Sequence, residues 1–201
     1  VSYIPGRMEE GYGLNPIAIR QLQGEGVKLI VTVDCGITAV EEARLCAQLG
    51  IDLVITDHHV CKQELPQAVA VVDPHRPDCT YPYKELSGVG VAFKLASALC
   101  GSQEEVLQSY ADLVCLGTVA DVMALQGENR VFVSRGLEAL RSSTRPGVVA
   151  LMEQCGCEKE TLSEDTAKNL FGKKLFISPS RFEDYQKCPF MYFCKKGLYI
   201  Y

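Results

Sequence analysis

Five side chains stand out as able to do chemistry together. Asp34 ends the apolar run Leu29–Val33, and Asp57, His58 and His59 end a second one, Leu53–Thr56. Asp121 sits near the close of a mostly apolar stretch, Glu104 to Val122. Carboxylates and imidazoles are ligands for hard or borderline divalent cations, and one carboxylate can bridge two of them. Two ions about 4 Å apart can clamp the attacking and leaving oxygens of a phosphoester. Taken singly, each residue also has a plain reading. Asp34 and Asp57 could merely end strands, His58 and His59 could be a surface pair, and Asp121 could cap a turn. Asp121 fits the plain reading least well, because a carboxylate buried among apolar neighbours needs a partner.

The positioning elements follow from the apolar patterning. Val1–Ile4 reads as a short strand and Pro5–Leu14 as a loop. Asn15 caps a helix with Pro16 in its first turn. Lys28–Val33 is a continuous β-branched run, predicting a strand buried on both faces. Thr38 and Glu41 form a capping-box pattern ahead of the next helix, whose packing side carries Val40, Ala43, Ala47 and Leu49. Asp52–Thr56 and Ala68–Val72 are two more strands. Strand–helix–strand spacing of this kind predicts parallel βαβ units, with ligands at the carboxyl ends of the strands. Pro74–Gly88 is a long irregular connection, a length associated with function. Val89–Leu99, Glu104–Val122, Asn129–Arg141 and Gly147–Met152 read as helices.

Composition narrows the class. A hydrophobic fraction of 47% and mean hydropathy of +0.05 describe an ordinary globular chain. No apolar run approaches the roughly 20 residues that span a bilayer, and the N-terminus has no signal-peptide pattern. The ten cysteines are scattered without zinc-knuckle spacing, so Cys35, Cys46, Cys61, Cys79, Cys100 and Cys115 read as reduced packing or surface thiols in a cytoplasmic protein. A net charge of −5 argues against broad non-specific nucleic-acid binding. Residues 158–201 nonetheless hold eight basic and six acidic residues. Divalent ions and a local basic channel can still meet phosphates.

The blocks around these residues resemble a known family. Thr56-Asp57-His58-His59, preceded by Val33-Asp34-Cys35-Gly36-Ile37-Thr38, is similar to the DHH phosphoesterase superfamily. Tyr3 to Gly13, Ser87 to Lys94, Gly117 to Leu125 and Gly127 to Arg130 resemble segments of its RecJ single-strand-DNA exonucleases, in order and spacing, over residues 1–154. The resemblance implies an α/β, parallel-sheet DHH domain that hydrolyses single-stranded DNA 5′→3′ in DNA repair and recombination. It implies two Mn²⁺ or Mg²⁺ ions, with Asp34 bridging and His58 and Asp121 as ligands. Asp57 and His59 would orient the site or contact the phosphate, and Arg7, Gly88 and Gly90 would lie near the substrate. On the residues alone, Arg7 is equally a solvated charge, and Gly88 and Gly90 equally a tight helix entry.

The same family predicts an Asp-x-Asp motif on a strand before Val1 and a second domain after Met152. Neither is in this sequence, so the domain is expected to be N-terminally truncated and its activity impaired. Residues 155–162 read as a linker or junction. Residues 163–201 form a small α/β or helical appendage, with helices around 163–171 and from Ser180 and a strand at 174–177. Leu175 to Phe193 resembles the nuclease entry of AddB, a helicase–nuclease subunit. In that family Cys188 would be the first of four cysteine ligands to a 4Fe–4S cluster. Four thiolates are normally needed, so no cluster is expected here. The expectation is a chimera of two DNA-end-processing proteins, joined near residue 155. The alternatives are an inactive remnant or binding fragment, and a small-substrate phosphoesterase acting on dinucleotides or pyrophosphate.

Overall fold

The computed structural model describes residues 1–6 and 10–155. Three short parallel strands form the sheet: β1 (Leu29–Val33), β2 (Asp52–Thr56) and β3 (Ala70–Val72), in the order β1-β2-β3. The register pairs Leu29 with Asp52 and Val33 with Thr56, and Thr56 in turn with Val72. The last residues of all three strands therefore lie side by side. Asp34 and Asp57 leave the sheet at this common edge.

Six helices complete the described fold: α1 (Pro16–Gly24), α2 (Val40–Gln48), α3 (Gly88–Cys100), α4 (Gln103–Ala120), α5 (Gly127–Ser142) and α6 (Pro146–Gln154). α1 and α2 cover one sheet face, where Ile19, Ala43, Cys46, Leu53 and Ile55 bury together. α3 meets the sheet at β1 and β2 and packs α4 on its outer side. Leu86, Val91, Phe93, Leu107, Val114 and Phe132 make the larger core there. α4 and α5 cross so closely that a methyl at Gly136 would lie 2.1 Å from Cys115 Cβ and 2.4 Å from the Ala111 carbonyl. Only glycine fits that crossing.

The α/β parallel architecture is as expected, and so is the start of α1, where the Asn15 side chain accepts from the Ala18 N–H. Several local expectations are corrected. Val1–Ile4 is not a strand. Thr38 does not cap α2; the cap position is Ala39 and no side chain bonds there. The 34–38 segment is instead held by Asp57, as described below. Ala47 is exposed, and Ala43 with Cys46 carries the buried face of α2. β1 is not buried on both faces. It pairs with β2 alone among the described residues, and Leu29, Val31 and Val33 on one of its faces are 53, 46 and 52% exposed. A run of β-branched residues records strand propensity; burial depends on what covers the strand. Arg7, Cys188 and the elements expected over residues 163–201 lie outside the described residues.

Candidate metal centre

The site is built from two strand ends and one helix end. Asp34 follows β1 directly, with φ +63°. This left-handed conformation is unusual for a residue with a side chain. Two contacts hold it: the Asp34 N–H donates to the Thr56 carbonyl at 3.0 Å, and the Tyr12 hydroxyl donates to the Asp34 carbonyl. The carboxylate leans onto α3 where Gly88 leaves room. A methyl at Gly88 would come within 2.2 Å of Asp34 Oδ1.

Asp57 is 1% exposed and is the bracket of the site. Its Oδ2 accepts from the Ile37 N–H at 2.9 Å, which pins the loop after β1. Its Oδ1 accepts from the His58 and His59 backbone N–H groups and from His59 Nδ1, the last at 2.6 Å. Burial raises the pKa of Asp57, but these donors outweigh it and leave the carboxyl below its ordinary range. For His59, burial favours the neutral ring, and the bond to Asp57 more than offsets this, so its pKa is raised. With Nδ1 committed, His59 presents its other nitrogen outward from a side chain 48% exposed.

His58 points the other way. Its Nδ1 lies 3.0 Å from the Leu86 carbonyl, which can only accept, so Nδ1 carries the proton. Nε2 then faces Asp34 Oδ1 at 3.0 Å and Asp121 Oδ2 at 3.3 Å. Neither contact has hydrogen-bond alignment: among the described residues, His58 Nε2 and Asp34 Oδ1 are buried atoms without a hydrogen-bond partner. A ring nitrogen and two carboxylates that face one another without hydrogen bonds form a donor set that a cation would satisfy. Burial and the charge of Asp121 raise the Asp34 pKa, while His58 opposes them. The donor set of one imidazole nitrogen and carboxylate oxygens fits Mn²⁺ or Mg²⁺. One oxygen or nitrogen each from Asp34, His58 and His59 lies within 4.8 Å of the others.

Asp121 is brought in by helix packing. It is the C-cap of α4, and its side chain is 35% exposed rather than buried as the apolar run suggested. Helix α4 reaches the start of α3 because Gly117 lets it lie on Val89, where an added methyl would come to 2.7 Å. Ser87 and Thr118, both fully buried, share a 3.0 Å hydroxyl contact at the same place. The negative end of α4 thus faces the His58 side of the cluster, and the positive end of α3 faces the Asp34 carboxylate, which is favourable.

Asp34, Asp57, His58, His59, Asp121 and Gly88 are therefore gathered at one sheet edge. Gly90 stands apart from the carboxylates: it packs against Leu86, and its N–H donates to the Ser87 hydroxyl. Sequence reasoning missed Tyr12, Gly117, Ser87, Thr118 and the Leu86 carbonyl. Tyr12 is 59% exposed, near-perpendicular to His59 with ring centres 6.1 Å apart. Its position in the Gly11-Tyr12-Gly13 turn was the available signal. A backbone carbonyl leaves no trace in side-chain identity.

Comparison with known proteins fits this geometry. A family model described as "DHH family, N-terminal domain" matches residues 1–118. The chain belongs to the DHH family. A single-stranded-DNA-specific exonuclease RecJ from Bacillus subtilis is 48% identical over 164 residues, covering 82% of this chain and 20% of the relative. The Escherichia coli protein of that name is 39% identical over 188 residues, covering 86% of this chain and 32% of the relative. A crystal structure of exonuclease RecJ bound to manganese superposes with TM-score 0.67 and 34% identity, over 84% of this chain and 43% of that one. RecJ from Thermus thermophilus in complex with Mn²⁺ gives 0.60 and 30%, over 85% and 25%. The DHH domain here is of RecJ type, and the chain spans about a fifth to a third of the curated relatives cited.

Proposed function

We propose that this DHH domain binds divalent metal and takes part in hydrolysis of single-stranded DNA, as its RecJ relatives are named for doing. The observation that carries the reading is the unpartnered His58 Nε2 aimed at Asp34 and Asp121. Asp34, His58 and Asp121 would hold the ion, Mn²⁺ or Mg²⁺. When bound, the ion supplies Lewis-acid stabilisation of the phosphodiester in its transition state. The Leu86 carbonyl engages Nδ1 of His58, which leaves Nε2 to face the two carboxylates. His59, fixed by Asp57, offers its outward nitrogen to a phosphate oxygen. Asp57 orients rather than ligates, since its oxygens accept from four donors. Gly88 keeps the Asp34 carboxylate in place. Substrate contact by Arg7, polarity in the 5′→3′ sense and a role in DNA repair and recombination rest on the family resemblance, and a cytoplasmic setting on the scattered cysteines. Among the described residues no helix is long and apolar enough to cross a membrane.

Release of mononucleotides from a 5′-phosphorylated single strand with Mn²⁺ tests the reading. Turnover by wild type and none by Asp34→Ala supports it; equal behaviour of the two refutes catalysis at this site. The number of donors favours a second reading, in which one ion binds and hydrolysis is slow. The described residues bring three candidate ligands together, Asp34, His58 and Asp121, with His59 beside them. A pair of ions sharing so few is held weakly. Calorimetry with Mn²⁺ separates the two by stoichiometry. For residues 163–201 we propose a separate unit joined through a linker at 155–162, with Cys188 as a plain thiol. Preferential proteolytic cleavage at 155–162 supports this, and uniform resistance there refutes it.

A further inference from the structure

Asn129 is fully buried and lies on α5, and its side-chain hydrogen bonds join the two segments that carry Leu86 and Asp121. Its side-chain NH₂ donates to the Glu85 carbonyl at 2.5 Å and to the Ala124 carbonyl at 3.1 Å. Glu85 directly precedes Leu86, whose carbonyl holds the His58 Nδ1 proton. Ala124 lies three residues beyond Asp121, in the turn that follows α4. Turning the amide over would set its oxygen against two carbonyls, so its orientation is fixed. The Asn129 oxygen has no partner of its own.

Neighbouring contacts fasten the same two segments. The Tyr83 hydroxyl donates to the Gln126 carbonyl at 2.7 Å, and the Tyr81 hydroxyl donates to Glu128. Gly127 lies under the Tyr83 ring, where a methyl would come to 2.6 Å. These contacts sit at the rim, while Asn129 is the buried one that bonds both backbones at once.

We propose that Asn129 is a positioning residue for the metal centre. By holding the Glu85–Leu86 and 121–126 segments in one arrangement, it fixes His58 in the Nδ1–H tautomer and sets the spacing of His58 and Asp121. The proposal rests on the metal-binding reading above, and its test separates the two. Ring-nitrogen NMR of the metal-free protein reads the His58 tautomer, and calorimetry reads Mn²⁺ affinity. Asn129→Ala is expected to mix the His58 tautomers and to weaken Mn²⁺ binding roughly tenfold, the size typical of losing an outer hydrogen bond to a metal site. Phe132→Leu, in the same helix and buried against Phe93, serves as the stability control. It should lower the melting temperature while leaving tautomer and affinity unchanged. Asn129→Ala with wild-type tautomer and affinity, or with losses that Phe132→Leu reproduces, overturns the proposal. If Asn129→Ala does not fold, Asn129→Ser, which keeps one donor, is read in the same way. If wild type binds no Mn²⁺, the metal reading falls, while the tautomer comparison still decides the role of Asn129.

Discussion

The contact between Asp34 and Gly88 can be tested as a thermodynamic cycle. Gly88→Ala places a methyl 2.2 Å from Asp34 Oδ1 and 2.6 Å from Asp34 Cβ. Rotating the carboxylate away leaves the Cβ clash in place, and the Asp34 backbone is pinned by Thr56 and Tyr12. Overpacking of this kind costs about 1–3 kcal/mol, of which better helix propensity at the start of α3 returns at most about 1 kcal/mol. A net loss of about 1–2 kcal/mol corresponds to roughly 3–6 °C in a chain of this size. Asp34→Gly acts in the other direction. It removes the left-handed strain, worth about 1–2 kcal/mol, and two carboxylates no longer crowd His58. The added freedom of glycine in the unfolded chain returns about 0.4–1 kcal/mol of this. The metal-free variant should therefore melt about 2–4 °C higher while losing Mn²⁺ binding. In the double variant the clash has no partner, so it should melt near Asp34→Gly, with a coupling energy of about 1–3 kcal/mol. Thermal melts of the four proteins, with and without Mn²⁺, measure this. Additive melting temperatures, or Gly88→Ala retaining wild-type Mn²⁺ affinity, would show that Gly88 does not seat Asp34.

Three further outcomes are expected. Saturating Mn²⁺ at about 100 times its dissociation constant should stabilise wild type by about 2.7 kcal/mol, with EDTA reversing the shift and His58→Ala abolishing it in a thermal-shift assay. Gly136→Ala should destabilise by about 1–3 kcal/mol because the α4–α5 crossing has no space for a methyl; an unchanged urea midpoint would contradict this. Burial lowers the Lys94 pKa, but Glu128 and Tyr81 outweigh it, so in the folded state it lies above its ordinary 10.5. Stability from this group is thus complete below pH 10.5 and is lost as pH rises through the folded value, and Lys94→Met should flatten the alkaline limb of a melting-temperature profile.

The sheet was legible because each strand is a short apolar run ended by a polar residue, and the helices because Asn15-Pro16 and the 3.6-residue patterns are local signals. That Asp34, Asp57, His58, His59 and Asp121 come together was legible because acids and imidazoles at strand ends are conspicuous. The roles within it were less so. Asp57 and His58 are adjacent, yet one is a bracket and the other faces Asp34 and Asp121. That division depends on Ile37 and Leu86 backbone groups about 20–30 residues away in sequence. Gly88 read as a substrate neighbour or a helix entry, and its contact with Asp34 shows a third use. Asp121 read as buried because its neighbours in sequence are apolar, but it caps the helix where those neighbours turn away. Burial of β1 could not be read from its residues, because it depends on elements covering the strand rather than on the strand itself.

That open strand bears on how this chain should behave in concentrated solution. Leu29, Val31 and Val33 form an exposed apolar row, and β1 has one backbone edge unpaired among the described residues. An uncovered edge of this composition is a template for another strand. Self-association should therefore rise with protein concentration and persist in salt, since it draws on apolar contact and backbone hydrogen bonds. A single Val31→Lys should suppress it in light scattering. Because the row runs directly into Asp34, a strand that joined there would end beside the Asp34–His58 cluster.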